Sequence, residues 1–174
     1  LLTTAGVKDV RILDGGLSAW VDSGGELETG FTTVGLGDVT ITHHDLYQGE
    51  LPTLTADRTA ELAGPLLDAR APERFRGERE PVDPVAGHIP GARNTPSTSV
   101  LTVDGTFRTD GELQEFFTDR GVDASTGAGA YCGSGVTAAV LIAALQMIGL
   151  EAQLFPGSWS QWCAEPDRPV ATGD

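Results

Sequence analysis

The sequence is poor in the residues that staple small folds together. Its 174 residues include two cysteines, Cys132 and Cys163, and three histidines, His43, His44 and His88. Two cysteines build no disulfide framework, and with histidines this dispersed they build no zinc site. No metal or organic cofactor is implied, and the expectation is a reduced, cytoplasmic protein. Positive charge is also scarce: 11 Lys and Arg stand against 25 Asp and Glu, for a formal net charge of -14. A field of that sign repels phosphate backbones and anionic lipid, which argues against nucleic acid and the membrane surface as partners. Long apolar runs are missing. The longest candidate, Val136 to Leu150, is broken by Gln146 and Gly149 and falls short of a membrane span. Aromatic residues make up only 6%, yet a hydrophobic share of 40% is too large for a disordered chain. The sequence opens on Leu1-Leu2 with neither an initiator methionine nor a signal-peptide pattern, so it is expected to be a piece of a longer protein.

What is present begins with a repeat. The stretch Ile12-Leu13-Asp14-Gly15-Gly16-Leu17-Ser18-Ala19-Trp20 resembles Leu154-Phe155-Pro156-Gly157-Ser158-Trp159-Ser160-Gln161-Trp162. The two tryptophans stand 142 positions apart, 162 less 20. A strand, a turn and a tryptophan-bearing helix in the same order imply common ancestry. One copy lies near the start and the other near the end. The organisation expected is the tail of a first domain at 1–30, a Gly- and Thr-rich linker at 31–54, and a complete domain at 55–174. Val39 to Thr42 alternates and suggests a short strand. His43 and His44, adjacent on an extended segment, would face opposite ways and share no metal.

Within the complete domain, short helices are expected over Thr55 to Ala63 and Pro72 to Phe75. Strands are expected at Leu66-Leu67, Arg93-Asn94, Ala128 to Tyr131 and Gln153 to Phe155. Val103 to Phe107 carries a hairpin signature with Asp104-Gly105 at its turn. Thr109 and Glu112 form a capping box that opens a helix through Phe117 and stops at Gly121. Val136 to Ile148 is apolar nearly all round, predicting a buried helix capped by Gly149. Strands that alternate with helices define an open, mainly parallel α/β sheet with helices on both faces. Ligands on such sheets bind beyond the carboxyl ends of the strands.

The chemistry concentrates in Tyr131-Cys132-Gly133-Ser134-Gly135-Val136-Thr137-Ala138. A cysteine stands at a strand end, two glycines allow a tight curl, and a helix begins at once. This geometry points a ring of main-chain N–H groups inward, with the positive end of a helix dipole behind it. Such a ring lowers a thiol pKa from about 8.5 and would equally hold a persulfide anion. A small buried cysteine before a turn is the plainer alternative. The Rossmann fingerprint needs a further glycine, and the P-loop lysine is absent.

This loop resembles the active-site loop of the rhodanese superfamily, in the form typical of 3-mercaptopyruvate sulfurtransferases. Leu67-Asp68-Ala69-Arg70 with Glu73-Arg74-Phe75-Arg76-Gly77, then Gly87-His88-Ile89-Pro90-Gly91-Ala92-Arg93-Asn94, and the closing Gly157-Ser158-Trp159-Ser160-Gln161-Trp162 are similar to further segments of that family. The resemblance covers Leu66 to Gly173, and Val10 to Gly30 looks like the end of the family's inactive first domain. It implies a rhodanese-like fold and a thiosulfate or 3-mercaptopyruvate sulfurtransferase. Cys132 would be the nucleophile that takes a sulfane sulfur from a small anionic donor and passes it to a thiol or cyanide. Gly133, Ser134, Gly135, Val136 and Thr137 would form the cradle, and Arg74 would pair with the donor's carboxylate or sulfonate. Ser134 is either a substrate ligand or a turn-capping hydroxyl. Asp68 and Arg70 are expected to tie the strand end to neighbouring loops, His88 to be structural, and Cys163 to be an inert thiol.

The pattern departs from the family in one loop. Some relatives carry a second arginine a few residues past Arg74. Here the loop is Glu78-Arg79-Glu80-Pro81-Val82-Asp83, with Asp83 at or near that place and Arg76 or Arg79 as substitutes. Relatives also complete the cleft with the first domain, the expected partner of this chain. Two other classes compete with the sulfurtransferase. A related phosphatase needs an arginine six residues after the cysteine, where Ala138 stands. A non-catalytic rhodanese-like binding or regulatory module is the alternative, though such modules usually lose the cysteine.

Overall fold

The computed structural model describes residues 2, 3, 5–38 and 40–174. Four short strands, β1 (Leu66–Asp68), β2 (Arg93–Asn94), β3 (Ala128–Tyr131) and β4 (Ala152–Leu154), form one sheet in the order β2-β1-β3-β4. Every pairing is parallel: Leu67 lies opposite Arg93 and Ala130, and Ala130 lies opposite Leu154. Around them run α1 (Gly16–Asp22), α2 (Ala56–Ala60), α3 (Pro72–Phe75), α4 (Asp110–Thr118), α5 (Ala138–Met147) and α6 (Ser158–Ala164).

Side chains alternate across a strand, so the sheet divides the apolar residues into two layers. Leu67, Ala128, Ala130 and Cys132 enter one core with Leu113 and Phe117 of α4 and Leu141 and Leu145 of α5. Leu66 and Tyr131 enter the other with Ala56 of α2, Phe155, and Trp159 and Trp162 of α6. Each fully buried leucine contributes about 1.5–3 kcal/mol. Gly129 is a poor strand former in the centre of the sheet, and packing explains it. A Cβ there would lie 2.6 Å from Leu62 Cδ2 and 2.9 Å from Leu54 Cδ1. The fold is the open parallel α/β sheet, with helices on both faces, that the sequence predicts.

Local rules set the helix ends. The Thr109 hydroxyl accepts the Glu112 N–H, and the Glu112 carboxylate accepts the Thr109 N–H at 3.0 Å, which closes the capping box of α4. Four expectations change. The α5 helix starts at Ala138 rather than Val136, because Val136 and Thr137 belong to the turn after Cys132. It is not buried all round: Val136, just before it, is 73% exposed and Met147 is 47% exposed. The segment from Val103 to Phe107 makes a turn closed by one antiparallel bridge, Leu101 to Phe107, and no strand ladder. Val39 lies outside the described residues, and Thr40 to Thr42 form no strand.

The two similar sequence stretches share some backbone features. Helices α1 and α6 each have seven residues. Their first residues, Gly16 and Ser158, both have left-handed φ angles, 60° and 53°. Burial separates the two helices. Helix α1 has no buried residue, while α6 buries Ser158, Trp159, Trp162 and Cys163.

Candidate active site

Because all four strands run parallel, their carboxyl ends lie along one edge of the sheet, and the loops leaving them share that edge. A cavity of about 440 Å³ opens there. The segment after β1 supplies Arg70, Pro72 and Arg74, the segment after β2 supplies Pro96, Ser97 and Thr98, and the segment after β3 supplies Cys132, Gly133, Ser134, Val136 and Thr137.

Cys132 lies at the floor of this cavity and is 2% exposed. The residue also packs into the core with Leu141 and Leu145 of α5. Burial pushes the thiol pKa up. The Thr137 hydroxyl and the N–H groups of Ala138, Ser134 and Thr137 outweigh that, so the group titrates below the ordinary cysteine range. The loop can curl this tightly because of Gly135, whose φ is +81°. A Cβ at Gly135 would lie 2.8 Å from the Pro156 carbonyl oxygen. The loop is also held from behind. The Trp159 and Ser160 N–H groups donate to the carbonyl oxygens of Cys132 and Gly133, each at 3.0 Å.

Arg74 is the cavity's partly exposed cation, and it is clasped on one edge. Its Nη2 donates to Glu80 Oε1 at 2.6 Å and its Nε to Glu80 Oε2 at 3.2 Å. Asp83 approaches Nη2 at 3.4 Å. The other terminal nitrogen, Nη1, would lie 3.5 Å from a Cβ built on Gly133, with Nη2 at 3.7 Å. Burial pushes the Glu80 carboxyl pKa up, but Arg74 and the N–H groups of Asp83 and Val82 bring it below the usual carboxylate range. Arg70 is fully engaged elsewhere: it makes a buried pair with Asp68 at 2.6 Å and donates to the Gly87 carbonyl oxygen at 2.7 Å. It also lies over the rings of Tyr131 and Trp159. Two arginines are therefore paired with three carboxylates, Asp68, Glu80 and Asp83.

The remaining sequence candidates fall outside this group. Arg76 pairs with Glu78 at the surface, and neither Arg76 nor Arg79 lines the cavity. Asp83, rather than Arg76 or Arg79, stands beside Arg74. Gly135 shapes the loop but does not line the cavity. His88 stacks on Phe75 at 3.7 Å and its Nδ1 bonds the Phe75 carbonyl oxygen, which is a packing role. Cys163 is buried in α6, where burial and then the charge of Asp83 push its pKa up. Pro96, Ser97 and Thr98 are cavity residues that sequence reasoning passed over. Their signal was position alone, directly after a parallel strand.

The parallel α/β domain thus holds one thiol among main-chain amides at the carboxyl edge of its sheet. The chain belongs to the rhodanese family: the pattern of the Rhodanese-like domain matches residues 51–165. Over 173 residues it is 57% identical to SseB of Mycobacterium tuberculosis, provisionally named a thiosulfate sulfurtransferase, covering 99% of this chain and 61% of that protein. Over 187 residues it is 44% identical to a Pseudomonas aeruginosa protein provisionally named a 3-mercaptopyruvate sulfurtransferase, covering 100% of this chain and 62% of that one. The chain thus spans less than two thirds of these relatives. The crystal structure of the anaerobic ergothioneine biosynthesis enzyme from Chlorobium limicola superposes with a TM-score of 0.85 at 24% identity, over 99% of this chain and 44% of that one, and shares the fold.

Proposed function

We propose that this chain carries the catalytic domain of a sulfurtransferase. It moves a sulfane sulfur from 3-mercaptopyruvate or thiosulfate to a thiol or cyanide through a persulfide on Cys132. The observation that carries this reading is the Cys132 sulfur at the cavity floor, its thiolate favoured by the Thr137 hydroxyl and three main-chain N–H groups. The names of the curated relatives support the same chemistry.

In the first step the Cys132 thiolate attacks the donor's terminal sulfur. From thiosulfate, the S–S bond breaks and its electron pair leaves with sulfite. From 3-mercaptopyruvate, the C–S bond breaks, its pair stays on carbon, and the donor's thiol proton ends on that carbon to give pyruvate. Either way Cys132 carries one extra sulfur as a persulfide anion, held by the same N–H groups. In the second step an acceptor thiolate or cyanide carbon bonds the outer sulfur. The persulfide S–S bond then breaks and its pair returns to Cys132.

Arg74 orients the donor through Nη1, the nitrogen left beside Gly133 while Glu80 occupies the other edge. Ser97, Thr98 and Ser134 add neutral hydroxyl donors around the cavity. With Glu80 and Asp83 so close, a singly charged carboxylate fits better than the thiosulfate dianion, because like charges repel strongly in a partly dry site. Two unpaired thiols fit a reducing cytoplasm. Residues 1–30 are the tail of a preceding rhodanese-like domain, and the shared left-handed helix start of α1 and α6 supports this.

The test is mass spectrometry of the protein after incubation with each donor. The expected result is a gain of about 32 Da, one sulfur, on the Cys132 peptide, released as thiocyanate by cyanide. No gain from either donor, with the full-length protein, overturns the proposal.

A further inference from the structure

Strand β4 ends just before the nucleophile's loop needs support. Phe155 still donates its N–H to the Ala130 carbonyl oxygen at 2.9 Å, as a ladder partner should. The next bond of that ladder would satisfy the N–H of Cys132, but the chain turns at Pro156 and Gly157 and carries no further strand. A side chain takes the place of the missing partner. The Ser158 hydroxyl accepts the Cys132 N–H at 3.1 Å and donates its own proton to the Phe155 carbonyl oxygen at 2.9 Å. Ser158 is fully buried, and its φ is +53°.

That conformation is costly for serine. Left-handed backbone is disfavoured for a residue with a Cβ, and glycine avoids that cost. The first copy of the repeat uses glycine at this place: Gly16, with φ +60°, stands 142 positions before Ser158 (158 less 16). The φ angles at Gly16 and Ser158 agree, so that conformation alone does not call for a serine. The hydroxyl is what the second copy has and the first lacks, and its partner is the amide of the nucleophilic cysteine.

We infer that Ser158 is a positioning residue for the sulfur chemistry: its hydroxyl extends the β3–β4 ladder by one bond and fixes the peptide plane that enters Cys132. The next two residues fix the peptide planes beyond it, because Trp159 and Ser160 hold the carbonyl oxygens of Cys132 and Gly133. With the Gly133 carbonyl turned toward α6, the N–H of Ser134 in the same peptide plane is left to face the sulfur. Ser158 touches no donor, since it does not line the cavity. This inference rests on Cys132 being the nucleophile, and deepens that reading.

The test compares Ser158→Gly and Ser158→Ala by the pH dependence of Cys132 alkylation, followed by mass spectrometry, together with thermal melting. The glycine variant removes the hydroxyl and relieves the backbone, so it folds even if the alanine variant does not. The expected result is an alkylation midpoint about one pH unit higher in the glycine variant, or about tenfold less thiolate at neutral pH. Sulfur uptake should slow in proportion, with no loss of melting temperature beyond that of the alanine variant. A glycine variant that keeps the wild-type midpoint and uptake rate overturns the inference. The alkylation readout needs no sulfur donor. A wild-type protein that takes no sulfur from either donor therefore overturns the proposed activity, while the midpoints still decide the role of Ser158.

Discussion

The two cysteines of this chain are both buried and both unpaired, and they are set up for opposite behaviour. Cys132 follows strand β3 and opens a loop whose amides and Thr137 hydroxyl favour its anion. Cys163 sits inside α6, with Asp83 and Glu80 as its charged neighbours, and its anion is disfavoured. Burial pushes both thiols in the same direction, so burial cannot distinguish them. The difference lies in what surrounds each sulfur: at Cys132 the Thr137 hydroxyl together with three main-chain N–H groups offsets desolvation.

The comparison breaks most decisively by exchange. Cys132→Ser should abolish sulfur uptake and turnover, a loss of at least about a thousandfold, as for removal of a covalent nucleophile. Cys163→Ser should leave both within about twofold. Steady-state turnover with each donor checks this, and retained turnover in the first variant would assign the chemistry elsewhere. Gly135→Ala comes next. A Cβ 2.8 Å from the Pro156 oxygen, at a left-handed φ, forces the loop open. Uptake should fall about tenfold to a hundredfold while Cys163 alkylation stays as it was.

Two smaller effects sharpen the contrast. Thr137→Val removes one donor to Cys132 while keeping side-chain shape. Its alkylation midpoint should rise by roughly half to one pH unit, reflecting one lost hydrogen bond to an anion. Asp83→Asn removes a negative charge near both Arg74 and Cys163. Thiosulfate kcat/KM should rise a few-fold relative to 3-mercaptopyruvate, and the Cys163 midpoint should fall slightly. An unchanged donor ratio would refute the preference for a singly charged donor.

Glu80 adds a pH dependence with a definite sign. Its folded pKa lies below the ordinary carboxylate value. Its stabilising contribution is therefore present above the unfolded value of about 4.3 and lost as pH falls through the folded one. The melting difference between wild type and Glu80→Gln should shrink as pH drops through that range.

Much of this site was legible in the sequence because its rules are local. Cys132-Gly133-Ser134-Gly135 announces a turn at a strand end, Thr109 and Glu112 announce a helix start, and Tyr131 closes an apolar run. What was not legible depends on loops meeting across the sheet edge. The pairing of Arg74 with Glu80 and Asp83 requires the chain to fold back on itself, which no periodicity encodes. Ser97 and Thr98 become cavity walls only through the parallel order of β2 and β1. Helix α1 carries the same pattern as α6 yet leaves Trp20 45% exposed where Trp162 is 1% exposed, because a pattern fixes a helix but not what covers it. Trp162→Ala should accordingly cost about 3–5 kcal/mol, and Trp20→Ala about 1 kcal/mol or less.

The contrast between the two thiols is tested most directly by alkylating both cysteines in one unmodified sample across pH, resolved by peptide. The predicted result is a Cys132 midpoint below about 8.5 and a Cys163 midpoint above it. Coincident midpoints, or the reverse order, would contradict it.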